Sequence, residues 1–281
     1  MFECIHQNDP YLINIQFCST INLNKNTMLE QSVLQVPNSI GKKISVSLIF
    51  CLEVSALLLL LGNGGNIKWM PPILVFSLIG VSLVSALFFP FVWHYLDRKQ
   101  KIDSAKVYGF LYSAIRYCIA FNMAAFGWKK FYGLQFIVPT GISNMPMNQQ
   151  SGEWLTWFYF GYSHGFGIII AVMQIVGGYL LLSRKTLIIG ALILFSLLLN
   201  LTLINIFYQM NAGALMQSIL LLIGVTFLII LEHKKWIEFF LKTKSSLPTL
   251  SSKSPIVKNV LRSSAVILSL LFTMYLKSLM K

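Results

Sequence analysis

Acid is what this sequence has least of. Of 281 residues only 9 are Asp or Glu, against 22 Lys or Arg, and charged residues of both signs make up 11%. Soluble domains carry about a quarter charged residues. So few carboxylates leave little for a proton-coupled carrier, and no paired, interrupted apolar segments suggest an inverted-repeat transporter. Cysteine is sparse too: Cys4, Cys18, Cys51 and Cys118 form neither a CxxC nor a metal-ligand spacing. Cys51 and Cys118 fall inside apolar runs and read as buried small hydrophobes. There is no phosphate-binding glycine loop, Gly-x-Ser-x-Gly elbow, HExxH or haem pair of histidines, so no catalytic residue and no metal ligand is assigned. Residues 1–41 lack a basic stretch leading into an apolar core. They are polar and Asn-rich and read as disordered, with translation expected to start at Met28.

What is present is apolar: 56% hydrophobic residues and a mean hydropathy of +0.70. A bilayer can hide that much apolar surface, whereas a soluble fold of this length cannot. Seven apolar runs stand out, at 45–61, 73–93, 107–128, 157–182, 187–207, 212–231 and 255–276. Most approach the roughly 20 residues that cross a hydrocarbon core about 30 Å thick. The expected fold is therefore an all-α integral membrane protein of about seven spans. Two N-terminal spans lie in 45–93, four in 107–231 and one in 255–281, with a basic Ser/Lys-rich linker at 233–254.

The net charge of +13 sits in short clusters between these runs, as in loops of a multi-pass membrane protein, which argues against a nucleic-acid partner. Lys42, Lys43, Arg98, Lys99, Lys101, Lys106, Arg184, Lys185, Lys234, Lys235, Lys242 and Lys244 share one side of a seven-span arrangement. Lys68, Lys129, Lys130, Lys277 and Lys281 share the other. The bias puts the N-terminus in the cytoplasm and the C-terminus outside. Trp69, Trp93, Trp128, Trp154, Trp157 and Trp236 sit near run ends, where indoles anchor to headgroups.

A few polar residues interrupt the runs. Arg116 shares a helical face with Tyr108, Tyr112, Met123, Gly127 and Lys130. At depth an arginine costs about 2.5–3.5 kcal/mol, so it is expected to point into the bundle, beside tyrosines that can stack on it or hydrogen-bond it. Glu53, the one carboxylate well inside a run, is its expected ion-pair partner. Ser163, Gly167, Gln174 and Gly177 form a stripe suited to close helix packing, with Gln174 able to hydrogen-bond across it. His164 lies near the outer end of the same run. Asn122 and Lys129 fall on another face and read as packing and anchoring residues. Asn200 and Asn205, about 140° apart at 100° per residue, are expected to meet different neighbours.

Three stretches carry a family resemblance: "AIRYCIAFNMAAFGWKKFYGLQF", "QIVGGYLLLSRKTLIIGALIL" and "LINIFYQM". Over about 107–231 the chain resembles the DoxX-like family of small bacterial integral membrane proteins. The matching positions are Arg116, Gly127, Lys129, Gly177, Gly178, Arg184, Lys185 and Thr186. The resemblance implies a four-helix bundle in the bacterial cytoplasmic membrane. Where the family commonly has a glutamate before its glycines, this chain has Gln174, which keeps hydrogen-bonding shape without charge. Redox relatives in the wider group imply quinone as a cofactor only by analogy, and their cysteine pairs are missing. The expected function is a non-enzymatic accessory or ligand-binding component, its polar interior lined by Arg116, Tyr112, His164, Gln174 and Glu53. Expected partners are membrane lipid, and an apolar small molecule or a membrane subunit. The alternatives are a quinone-linked redox component and a small-solute transporter.

Overall fold

The computed structural model describes residues 39–63, 67–238 and 255–279. The polar N-terminal segment up to residue 38, Met28 within it, and most of the 233–254 linker lie outside the described residues. Those residues are helical, with no strand beyond an isolated bridge between Ile67 and Met70.

The first unit runs to His233. Its helices are α1 (Ile40–Leu61), α2 (Pro72–Arg98), α3 (Ser104–Phe131), α4 (Gly152–Tyr162), α5 (His164–Leu182), α6 (Leu187–Phe207) and α7 (Ala212–Leu231), with short helical turns at Thr140–Ser143 and Met147–Gln149. Local chemistry sets their starts. Pro72 opens α2, where its missing N–H costs nothing. The Asp103 carboxylate caps α3 by accepting from the Ala105 and Lys106 N–H groups. The Lys106 N–H, foremost, holds that carboxyl below its usual range. Asn211 caps α7 in the same way.

One apolar run is not one helix. Residue 163 interrupts the run at 157–182: Ser163 is extended (φ −119°, ψ 112°), and its hydroxyl accepts from the Phe166 N–H at 3.3 Å. A serine ready to cap, flanked by Gly161, Gly165 and Gly167, favours a new helix start over continuation. The expected stripe therefore loses Ser163 and keeps Gly167, Gln174 and Gly177, all buried in α5.

Among the described residues, α1, α2, α5, α6 and α7 are long and apolar enough to cross a membrane. α3, at 28 residues, is long enough but diluted by Arg116 and Asn122. In the second unit, Lys234–Lys281, helix α9 spans Pro255–Leu279, with an apolar part at Val266–Ser278. Residues His233–Ile237 form the short α8.

Within the first unit α3, α5, α6 and α7 pack each against the next, and α7 returns to α3. α1 covers the α3 and α7 side, and α2 packs mainly on α1 with most of its apolar side chains exposed. The centre is filled by residues such as Ile115, Ile119, Leu194, Leu198, Leu221 and Val225. Glycines let the backbones touch. A Cβ on Gly127 would stand 2.8 Å from the Ala171 carbonyl oxygen, and one on Gly178 would stand 3.0 Å from that of Ala120. At Gly190 it would stand 2.8 Å from both the Gly177 oxygen and the Leu181 nitrogen. Backbone cannot step aside, so Gly190→Ala is expected to cost about 1–3 kcal/mol. Gly80→Ala, whose Cβ meets nothing within 4 Å inside α2, should be neutral or stabilising by up to about 1 kcal/mol. Unfolding of the two variants in detergent checks the contrast.

Candidate functional site

The five residues expected to share a polar interior do not converge. Arg116 is buried at 4% exposure and reaches across to the end of α5. Its Nε donates to the Leu181 carbonyl at 2.7 Å, and its Nη2 donates to that of Leu182. Thr186 donates to Leu180 beside them at 2.9 Å. Three carbonyls at the end of a helix, where intrahelical donors run out, are thereby satisfied, with a cation at the negative end of the dipole. Tyr112 completes the cluster, its ring 5.6 Å from the guanidinium and its hydroxyl donating to Glu232 at 3.3 Å.

The expected Glu53–Arg116 pair is corrected by this geometry. Glu53 is fully buried in α1, and neither carboxylate oxygen has a hydrogen-bond partner among the described residues. It presses on α7, where a Cβ added to Gly224 would come within 1.9 Å of its Oε1. Arg116 found backbone acceptors instead. His164 is exposed at the start of α5, apart from the buried cluster. Cys51 and Cys118 are both free thiols.

Gln174 leads to a different place. It is 3% exposed, its Oε1 has no partner among the described residues, and it lines a cavity of about 610 Å³. The cavity lies at the end of the bundle where α3 and α6 finish and α5 and α7 begin. Its wall is apolar, with Leu59, Met123, Phe126, Ile170, Leu197, Leu201 and Leu221. Phe136, Trp157 and Phe160 form an aromatic side: Phe136 stacks on Phe160 at 5.4 Å and meets Trp157 edge-on at 6.1 Å. Phe136 holds φ +65°, a conformation a bulky residue rarely adopts.

Polar side chains from several helices share the lining. Lys129 and Lys130 enter from the end of α3, and Gln135, Asn200, Asn205 and Gln217 also line the space. Asn205 is occupied, donating to Ala214 and Ser218, and Gln217 donates to Asn122 at 3.0 Å. The sequence reading separated Asn200 from Asn205 and left Lys129 as an anchor; the cavity is wide enough to take all three. Gln217 was missed. The available signal was four amides (Asn122, Asn200, Asn205 and Gln217) in apolar runs toward the same bundle end.

A cavity of this size, with an apolar wall and polar groups converging on it, has the proportions of a small-molecule site. Among the described residues no group of three or more His, Cys, Asp and Glu could hold a metal ion. The apolar helices and this internal space define the class: a helical, membrane-embedded protein with a cavity inside its bundle. No protein-family model matches the chain, and no solved structure matches it. It is similar to the uncharacterized protein YwoB of Bacillus subtilis (strain 168), 28% identical over 130 residues, covering 46% of this chain and 80% of that protein.

Proposed function

We propose that this is a seven-span, DoxX-like protein of the bacterial cytoplasmic membrane that binds a small apolar or amphipathic molecule without transforming it. Its N-terminus lies in the cytoplasm and its C-terminus outside. The observation that carries the binding reading is the cavity of about 610 Å³ with the unpartnered, buried Gln174 amide on its wall. A buried amide oxygen without a donor costs about 1–3 kcal/mol, and a bound molecule or water relieves that cost. In favour of a four-helix core, α3, α5, α6 and α7 pack in chain order around one centre. The similarity to YwoB takes up most of that protein and under half of this chain, which fits a core with additions. α3 joins the spans in this reading because Arg116 and Asn122, its costly residues, are satisfied inside the bundle.

A quinone is the second reading, favoured by the aromatic side formed by Phe136, Trp157 and Phe160, on which its ring would stack; when bound it would supply two-electron redox chemistry. One experiment separates the readings. Protein purified in mild detergent is extracted and its small molecules are identified by mass spectrometry. A near-stoichiometric amphiphile is expected, and it should be lost in Asn200→Trp, which fills the cavity from an exposed lining position. Retained quinone transfers the case to the redox reading. No retained molecule, or one equally retained by the filled variant, removes the binding reading.

A further inference from the structure

The cavity's charge narrows what it takes. Lys129 and Lys130 are adjacent in sequence, yet both ammonium groups converge on one aromatic ring. Lys129 Nζ lies 5.7 Å and Lys130 Nζ 5.8 Å from the centre of Phe126, and Lys130 is also 5.8 Å from Phe136. Both lysines are half-buried and both line the cavity. Among the described residues the ion pairs are Lys43–Asp97 and Lys106–Asp103, so neither cavity lysine has a carboxylate within 4.0 Å. Two like charges held together and partly desolvated repel each other unless an anion lies between them. The faces of two phenylalanines stabilise the pair only in part.

The surroundings add to the same sign. The first turn of α7, with Gly213 and Ala214, lines the cavity and turns the positive end of a 20-residue helix toward it. The nearby carboxylate of Glu153 accepts from Asn211 at 3.1 Å and is not part of the wall. Deeper in, Gln174 is a polar side chain 97% buried, with its Oε1 unpartnered. Behind it the wall is hydrocarbon, from Leu59, Met123, Leu197, Leu201 and Leu221.

We infer that the ligand of this cavity is a single-chain amphiphile with an anionic head. Its carboxylate or phosphate lies between Lys129 and Lys130 and accepts from the Gln174 side-chain N–H, a water donates to the Gln174 oxygen, and the acyl chain lies along the leucine wall. This rests on the binding reading above and specifies its chemistry. One chain rather than two follows from a volume within the range of sites for small molecules.

Trp157, itself in the wall, reports occupancy. The full-length protein in phosphatidylcholine nanodiscs is titrated with dibromostearate, dibromostearyl phosphate and dibromostearyl alcohol, whose bromines quench a nearby indole. The acid and the phosphate are expected to give saturable quenching at concentrations about tenfold below the alcohol, a difference of about 1.4 kcal/mol. Trp154 lies 5.9 Å from Trp157 and shares the quenching, so the double variant Trp154→Phe/Trp157→Phe should remove the saturable part. The double variant Lys129→Gln/Lys130→Gln should bring both anions down to the alcohol's affinity and leave the alcohol unchanged. Equal affinity of acid and alcohol in the unaltered protein overturns the anionic head and leaves the binding reading standing, and that comparison needs no variant to fold. Saturable quenching that survives the loss of both indoles puts the amphiphile elsewhere and overturns the inference. If no probe saturates, both the inference and the binding reading fall. If only the phosphate or only the acid saturates, the head is assigned to that anion.

Discussion

Lys43→Met is expected to destabilise the first unit by about 3 kcal/mol. Lys43 is fully buried in the first turn of α1 and pairs with Asp97 in the last turn of α2. Each ion sits at the end of its helix that its dipole disfavours, a cation at an N-terminus and an anion at a C-terminus. Side by side they offset one another, and the Trp93 ring lies 5.2 Å from the ammonium. Removing the lysine leaves Asp97 with a side chain only 15% exposed, at the negative end of α2. Breaking a buried pair costs about 3–5 kcal/mol, and Asp97's residual exposure places this case at the lower end. Lys43→Met with Asp97→Leu should recover most of the loss, since two apolar groups need no partner. Unfolding in detergent and SDS mixtures reads both. A neutral Lys43→Met, or a double variant no better than the single, would show that the pair holds nothing.

Arg116→Ala is expected to cost about 3 kcal/mol, because two charge-assisted bonds to Leu181 and Leu182 disappear together. Of the carbonyls left behind, that of Leu181 is buried, where water does not readily replace the donor, and that of Leu182 lies at a partly exposed edge. Arg116→Lys should recover only part, since a point charge does not span two acceptors as a planar fork does. The corrected pairing gives a sharper check. The effects of Glu53→Gln and Arg116→Gln on stability should add, within about 0.5 kcal/mol, because the two side chains share no partner. A coupling energy well beyond that would restore the Glu53–Arg116 contact and refute the helix-end role.

The two cases show where the chain is legible by itself. Lys43 reads in sequence as one more cation in a loop cluster beside Lys42, yet it lies inside a helix against Asp97, 54 residues away. Arg116 is expected from sequence to point inward, because lipid is no place for a guanidinium, and it is buried. Its acceptor was not foreseeable, because main-chain carbonyls at a helix end carry no sequence signal. Glu53 was the obvious partner only by elimination. The break at Ser163 was legible in principle, since a serine among glycines is a capping signal that apolarity overrode. The cavity was illegible for a different reason: Gln174, Asn200, Gln217 and Lys130 come from four helices.

Apolar composition and run length settle by themselves that this chain makes long helices suited to a bilayer, because transfer from water depends on local side-chain chemistry summed over about 20 residues. The neighbours of each polar side chain were decided only by tertiary structure. A helix can rotate and slide against its neighbour at little change in local preference, and the glycine contacts at 127, 178 and 190 select one register out of many. That register sends Arg116 to the end of α5, leaves Glu53 against Gly224, and opens a lysine-edged cavity around Gln174.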